Sequence, residues 1–239
     1  MVRTLALVLA ALIAAPAAPA QDAACPPPAE TVQAVAAHAD GAVVLADGRT
    51  LRLAGVELSD AGRAAFVRMA ANRTLTVRPL GRTDRWGRQP AHVDEIEEAL
   101  LTQGMGHAAA QTEGACLAPL LAAEIKARSA RRGVWAVRDY VVDATDGAAL
   151  TARLGDHILA EGKVISARTH RGRVYLNFAR YWKSGLSLII AEKDWPLFSG
   201  GAAAETFVGK RVRARGRLEY RSGPAIFVGA ADRIEMAGR

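Results

Sequence analysis

The residues with the clearest chemical potential are three carboxylates and two arginines in the first half of the chain. Asp40 begins an apolar hairpin, and Glu57 and Asp60 follow its return strand. Arg52 lies on that return strand, and Arg88 lies in a glycine-containing turn. Carboxylates can hold a hard divalent cation and orient water, and arginines can neutralise charge on phosphate oxygens. The set fits phosphodiester hydrolysis, although Asp-Gly hairpins and surface arginines are also common without a function.

The elements that position these residues follow from the apolar pattern. Asp47-Gly48 lies between two short apolar runs, which is a strong signal for a β-hairpin. Ser59 or Asp60 can cap a helix, and Gly133 can end a later one. The pattern predicts strands over 42–45, 50–56 and 74–79, and helices over 59–71, 97–103 and 117–132.

Three motifs follow one another between residues 38 and 136. The first joins Asp40-Gly41 to Arg52-Leu53-Ala54-Gly55-Val56-Glu57-Leu58-Ser59-Asp60, and the second is Asp84-Arg85-Trp86-Gly87-Arg88. The third comprises Leu100-Leu101-Thr102-Gln103-Gly104-Met105-Gly106-His107-Ala108 and, further on, Gly133-Val134-Trp135. Together they resemble the thermonuclease (staphylococcal nuclease-like) family. The resemblance implies an OB-like barrel with packed helices that hydrolyses DNA or RNA, with calcium as the expected divalent cation.

The resemblance also implies roles for individual residues. Arg52 and Arg88 take the positions of the two arginines that stabilise the phosphate. Trp86 takes that of the aromatic residue lining the nucleotide. Asp40 matches the first acidic position of the calcium site, and Asp60 stands in place of the glutamate that acts as general base.

Three substitutions depart from the family's pattern on the metal and base side. Ala42 replaces the second aspartate of the Asp-Gly-Asp motif and so removes an oxygen ligand. Glu57 replaces a metal-binding aspartate, which keeps the charge but moves it. Asp60 is shorter than glutamate by one C–C bond of about 1.5 Å, and displacements on the order of 1 Å can cost a hundredfold in rate. Two alternatives stay open: a weakened nuclease whose cation is held by Asp40 and Glu57, or a catalytically degenerate module that binds nucleic acid or a protein.

The second half of the chain is strongly basic. Residues 151–239 hold 16 Lys and Arg against 8 Asp and Glu, a net charge of +8, whereas residues 21–150 hold 14 against 16, a net charge of −2. This imbalance indicates a polyanionic partner, although a basic face can also serve solubility alone. Strand patterns occur over 158–165, 173–178, 186–190, 211–218 and 225–228. With a short helix over 194–198, between the third strand and the fourth, this is the order of a second small OB-like barrel.

Four arginines alternate with small or apolar residues in the fourth of these strands. On a strand they share one face at a spacing of about 6.6 Å, which suits the successive phosphates of single-stranded DNA or RNA. Tyr175, which lies among further basic residues, is a candidate for base stacking. The arginines are Arg211, Arg213, Arg215 and Arg217. The alternative is the ordinary solvated face of a barrel strand.

The first twenty residues have the pattern of a signal peptide. Arg3 precedes an apolar stretch over 5–15, and Ala18-Pro19-Ala20 ends it with small residues. We therefore expect export to the periplasm or the medium, with cleavage after about Ala20; the alternative is a retained anchor. No other apolar run in the sequence is long enough to predict a membrane span.

The two cysteines of the chain are Cys25 and Cys116. In an oxidising compartment they are expected to form a disulfide, although two separately buried thiols are also possible. The five histidines share no metal-ligand or triad spacing, so core or surface positions are expected for them. The expected organisation is a signal peptide over 1–20, a leader over 21–37, a thermonuclease-like domain over 38–140, a linker over 141–154 and a basic OB-like domain over 155–239.

Overall fold

The computed structural model describes residues 30–109, 114–181, 183–229 and 234–237. These residues form a mixed α/β structure, mostly strands, with two clusters of buried apolar side chains. One cluster lies within residues 32–123 and the other within 142–228. The prediction of a mainly β fold with packed helices is confirmed at this level.

The first cluster fills a closed five-stranded barrel. The strands of this half are β1 (Glu30–Ala37), β2 (Ala42–Leu45), β3 (Thr50–Leu53), β4 (Val56–Leu58), β5 (Thr74–Pro79), β6 (Arg88–His92) and β7 (Gly106–Ala108). The barrel runs in the order β1-β2-β3-β6-β5 and returns to β1, with β3 and β6 parallel. β1 occupies residues that the sequence assigned to a leader, so the prediction is corrected there.

Helices cover the barrel and fix the entry to the strands beside it. They are α1 (Asp60–Ala70), α2 (Asp94–Thr102) and α3 (Gly114–Ser129). The Ser59 hydroxyl accepts the Gly62 N–H at 3.1 Å and donates to the Met105 carbonyl at 2.7 Å. It thus caps α1 and ties that helix to the chain that leads into β7.

A buried polar group fixes the bend between β3 and β4. Glu97 accepts the Gly55 N–H at 2.7 Å with one carboxylate oxygen, and its other oxygen lies 2.6 Å from Nδ1 of His92. A Cβ at Gly55 would lie 2.4 Å from that carboxylate, so only glycine fits without displacing it. The bend splits the single predicted strand over 50–56 and redirects the chain towards Glu57.

The second cluster fills a sheet in the second half of the chain. Its strands are β8 (Val141–Asp143), β9 (His157–Lys163), β10 (Ser166–His170), β11 (Arg173–Asn177), β12 (Ser187–Ala191), β13 (Arg211–Tyr220), β14 (Pro224–Val228) and β15 (Ile234–Met236), with helices α4 (Gly147–Ala152) and α5 (Trp195–Ser199). The order is β10-β11-β12-β14-β13-β9-β8, and β15 pairs with β13. β8 and α4 lie in the segment predicted as a linker, which is therefore structured.

The two ends of this sheet are joined by continuous chain. The Val164 N–H donates to the Lys210 carbonyl on the β13 side, and the next N–H, of Ile165, donates to the Asn177 carbonyl on the β11 side. β9 and β10 therefore act as one strand that changes partner. The strand order then matches that of the first barrel, including the parallel pair, here β12 and β14. α5 lies between the third and fourth barrel strands, as the sequence predicts.

A buried ion pair joins the two halves. Arg215 of β13 donates to the two carboxylate oxygens of Glu124 on α3 at 2.9 and 3.1 Å, and to the Ala108 carbonyl at 2.9 Å. Glu235 of β15 also accepts from Arg215. Arg215 is 1% exposed and Glu124 is fully buried. A buried charge without a partner is strongly destabilising, so Arg215 and Glu124 must stay together. The pair therefore fixes the second half of the chain against α3.

Cys116 lies buried in α3 and is disulfide-bonded. Cys25, the predicted partner, lies outside the described residues, as does the predicted signal peptide. Among the helices of the described segments, none has the length and apolar character needed to cross a membrane.

Candidate functional site

Two of the three predicted catalytic residues, Arg52 and Asp60, line a cleft between the two halves, and the third, Arg88, lies beside it. The cleft has a volume of about 410 Å³. The first half contributes the ends of β3 and β4 and the start of α1, and the second half contributes the chain around the start of β9. The charged and polar residues that line it are Asp40, Arg52, Glu57, Ser59, Asp60, Arg63, His107, Tyr140, Arg153, Asp156 and His157. Fold topology thus brings together residues that are far apart in the sequence.

Each carboxylate oxygen of Asp40 accepts one hydrogen bond from the protein. One carboxylate oxygen accepts the Ala42 N–H at 3.1 Å, and the other accepts Nη1 of Arg88 at 2.9 Å. Arg88 also donates from Nε to Asp84 at 2.9 Å. Arg88 is therefore held beside the cleft by two carboxylates, and Asp40 has its charge compensated.

Glu57 faces a histidine of the second half. Nδ1 of His157 lies 3.8 Å from a carboxylate oxygen of Glu57. Glu57 is itself placed by β4, whose register sets it opposite His107 of β7. The second barrel therefore places an imidazole next to Glu57, the residue that the resemblance assigns to the metal site.

Asp60 lies at the rim of the cleft. Its side chain is fully exposed, and one oxygen lies 3.3 Å from Nε of Arg63, one turn further along α1. A general base must hold a water molecule in a fixed position, and a fully exposed carboxylate at the first position of a helix is poorly suited to that.

Each of the three predicted carboxylates thus lies near a basic side chain of the protein. Among the described residues, no group of three or more His, Cys, Asp or Glu side chains is placed to hold a metal ion. Ala42 offers no side-chain oxygen, and each oxygen of Asp40 already accepts a hydrogen bond from the protein. The residues present do not fit the divalent-cation site that the resemblance implies.

The inner wall of the cleft contains a histidine and a tyrosine that the sequence did not single out. Nδ1 of His107 lies 2.7 Å from the Tyr140 hydroxyl. Burial, followed by the positive charge of Arg215, lowers the pKa of His107 to about 3, so its imidazole is neutral at physiological pH. Burial likewise raises the pKa of the Tyr140 hydroxyl. His107 lies within the third sequence motif. Its burial depends on the second half of the chain, so the sequence around His107 does not predict it.

Trp86 lies outside the cleft, in the turn before β6. Its ring is 63% exposed, and the guanidinium carbons of Arg85 and Arg88 lie 4.0 and 4.9 Å from its centroid. Arg88 therefore links this exposed ring to Asp40, which does line the cleft.

The arginines of β13 alternate as predicted but do not form a free ladder. Arg211 and Arg213 both donate to Glu161 on the neighbouring strand β9. The prediction is corrected at Arg215, which α3 covers and which therefore cannot contact a nucleic acid in this structure. Arg217 is exposed. Tyr175 lies on β11, which pairs with β10 and β12 and not with β13, so it is not on a strand adjacent to these arginines.

No protein-family model matches the chain, and no curated protein is similar enough to count as a match. The likeness to thermonucleases therefore remains a resemblance in the three sequence motifs.

Proposed function

We propose that this protein binds single-stranded nucleic acid and is a nuclease-like module that has lost metal-dependent cleavage. One observation carries the second part of the proposal. The three carboxylates expected on the metal side each lie beside a basic residue of the protein: Arg88 for Asp40, His157 for Glu57 and Arg63 for Asp60. A cation that entered the cleft would have to displace these contacts, and Ala42 removes an oxygen ligand that would favour it.

The basic second half supports the nucleic-acid part of the proposal. Its net charge of +8 lies beside a first half of −2. Phosphate groups are the most abundant source of the complementary charge, and release of their counterions drives such binding. The cleft does not supply this excess, because the arginines and carboxylates that line it nearly balance.

Phosphodiester hydrolysis is a second candidate, and a specific observation favours it. Arg52, Glu57 and Asp60 line one cleft together with Asp40, and Arg88 contacts Asp40 directly. This is the set that the resemblance implies for phosphate stabilisation and water activation. If the protein cleaves nucleic acid, we expect slow turnover, because Asp60 is fully exposed and Ala42 replaces a ligand.

Cleavage and binding of labelled single-stranded DNA and RNA separate the two candidates. The protein is incubated with calcium, with magnesium and with chelator, and binding is measured over a range of salt concentrations. We expect no cleavage, together with binding that chelator leaves unchanged and salt weakens.

The matched variants are Arg52→Ala, in the cleft, and Arg68→Ala, an exposed position on α1 that removes the same charge. Metal-dependent cleavage that Arg52→Ala abolishes and Arg68→Ala preserves would establish the hydrolase instead. Absence of both binding and cleavage would refute both candidates.

Export is proposed from residues 1–20 alone. Fractionation of cells that express the full chain tests it, and we expect a shortened protein outside the cytoplasm. Full-length protein that stays in the cytoplasm would contradict this proposal.

A further inference from the structure

The outward surface of the second barrel carries a row of side chains across four adjacent strands. The registers place Arg168 of β10 opposite Tyr175 of β11, Tyr175 opposite Ile189 of β12, and Ile189 opposite Phe227 of β14. Neighbouring strands lie about 4.8 Å apart, so the two aromatic side chains are roughly 10 Å from each other along the row. We call the surface formed by Arg168, Arg173, Tyr175, Ile189 and Phe227 the outer face.

The alternation of the strands shows that this row points away from the core. The intervening residues are buried inside the barrel: Val174, Leu176, Leu188, Ile190, Ile226 and Val228. Phe227 is 36% exposed and Tyr175 is partly exposed, whereas Ile189 between them is only 7% exposed. Two aromatic side chains that the core does not need are therefore presented to the outside.

A hollow of about 420 Å³ lies beside the row and includes Arg173, Ile189, Asp194 and Phe227 in its lining. This volume is in the range of pockets that hold small organic molecules. The apolar floor with one arginine and one carboxylate at its edge suits a flat, polar-edged ring such as a nucleobase.

Arginines flank both aromatic rings. The guanidinium carbon of Arg168 lies 5.5 Å from the centroid of Tyr175, and that of Arg221 lies 5.4 Å from the centroid of Phe227. A guanidinium over a ring keeps its planar donors available for phosphate oxygens. Nη2 of Arg221, however, also donates to a carboxylate oxygen of Glu219 at 3.3 Å. Each of the two rings thus has a guanidinium beside it.

The charged residues of the segment that forms most of the outer face are all basic. Residues 162–191 contain six Lys and Arg and neither Asp nor Glu, so the strands that form most of the outer face carry no carboxylate of their own. The hairpin between β10 and β11 turns through Arg171 and Gly172, both with positive φ. This is the two-residue turn that fixes register in a tight hairpin, and it holds Arg171 and Arg173 at an exposed tip.

Arg168 and Arg173 of the outer face differ in this respect from the arginines of β13, where Glu161 neutralises Arg211 and Arg213 and α3 buries Arg215. We propose that the outer face is the surface that binds single-stranded nucleic acid, with bases stacked on Tyr175 and Phe227 and phosphates contacted by Arg168 and Arg173. This inference rests on the proposed function and names the surface that performs it.

The test measures the affinity of the protein for two labelled 15-nucleotide single strands by fluorescence anisotropy. One strand carries normal bases, and the other has abasic sites throughout. Tyr175→Leu combined with Phe227→Leu keeps the apolar cover but removes both rings. We expect at least tenfold weaker binding of the normal strand and little change for the abasic strand, because each stacked base contributes substantially to affinity. Circular dichroism and the thermal midpoint confirm that the variant folds.

A second experiment compares two pairs of arginine variants that remove the same charge. Arg168→Gln combined with Arg173→Gln is expected to lower the slope of log affinity against log salt by about 1.4, that is, about 0.7 for each lost phosphate contact. Arg211→Gln combined with Arg217→Gln removes the same charge from β13 and is expected to lower the slope by less than half as much.

The outcomes separate the inference from the function. If the unchanged protein does not bind the strand, the proposed function fails. A different result would refute only the outer face. The unchanged protein would bind the strand, the outer-face variants would bind equally well, and Arg52→Ala, Trp86→Leu or the β13 double variant would weaken binding. Equal loss for the normal and abasic strands in the Tyr175 and Phe227 variant would overturn base stacking.

Discussion

Replacing Arg215 with methionine should destabilise the protein far more than any other arginine replacement on β13. The change leaves Glu124, which is fully buried, without the two hydrogen bonds at 2.9 and 3.1 Å that now compensate its charge. Removal of one partner of a buried ion pair costs about 3–5 kcal/mol in the free energy of unfolding. Arg128 lies 3.7 Å from Glu124 and will compensate part of that charge, so we expect a loss of about 3 kcal/mol.

The assay is urea unfolding followed by far-ultraviolet circular dichroism and tryptophan fluorescence. Arg217→Met is the matched control, since it removes the same charge from an exposed position of the same strand, and it should change the free energy by no more than about 0.5 kcal/mol. The double variant Arg215→Met with Glu124→Gln should recover at least about 1 kcal/mol of the single variant's loss, because a neutral amide is then buried instead of a carboxylate. If Arg215→Met and Arg217→Met have the same small effect, the two halves are not joined through this pair.

Three further predictions concern the first barrel and the cleft. Burial lowers the pKa of His107 from 6.5 to about 3. Between these pH values the unfolded state therefore binds one proton more than the folded state. The free energy of unfolding should fall by up to about 1.4 kcal/mol per pH unit as the pH decreases from 6.5 to 3. In His107→Gln this part of the pH dependence should vanish in acid-unfolding curves, and a persisting slope of the same size would assign it to other groups. Ser59→Ala should cost about 1 kcal/mol in urea unfolding, because the Gly62 N–H loses its cap; no measurable loss would show that water replaces it. Phe66→Ala, at a fully buried position, should cost about 3–5 kcal/mol, whereas a loss below 1 kcal/mol would place Phe66 outside the core.

The local parts of the fold could be predicted because short-range chemistry decides them. Asp47-Gly48 specifies the hairpin between β2 and β3, and Ser59 specifies the start of α1. The alternation of Val212 and Ala214 with arginines correctly places β13 with one face in a core. The strand order of the second barrel also followed from the position of a short helix between its third and fourth strands.

Longer-range features could not be predicted from the same patterns. β1 closes the barrel by pairing with both β2 and β5, and nothing local to residues 30–37 shows those partners. Arg215 follows the same alternation as its neighbours but is buried because α3, 91 residues away at Glu124, packs over it. His157 reaches Glu57 only because the second barrel packs against the first. The sequence therefore grouped Arg52, Glu57 and Asp60, which do line one cleft, but it could not show that residues of the second half complete that cleft.

The most direct test of the proposed function is a single sample in which binding and cleavage are both read. A labelled single strand is mixed with the protein in calcium or in chelator, its anisotropy is recorded, and the same sample is then run on a denaturing gel. We predict equal binding in both conditions and an intact strand in both lanes. Shortened strand in the calcium lane alone would contradict the proposal and show that the cleft still recruits a cation despite Ala42 and the basic residues beside the carboxylates.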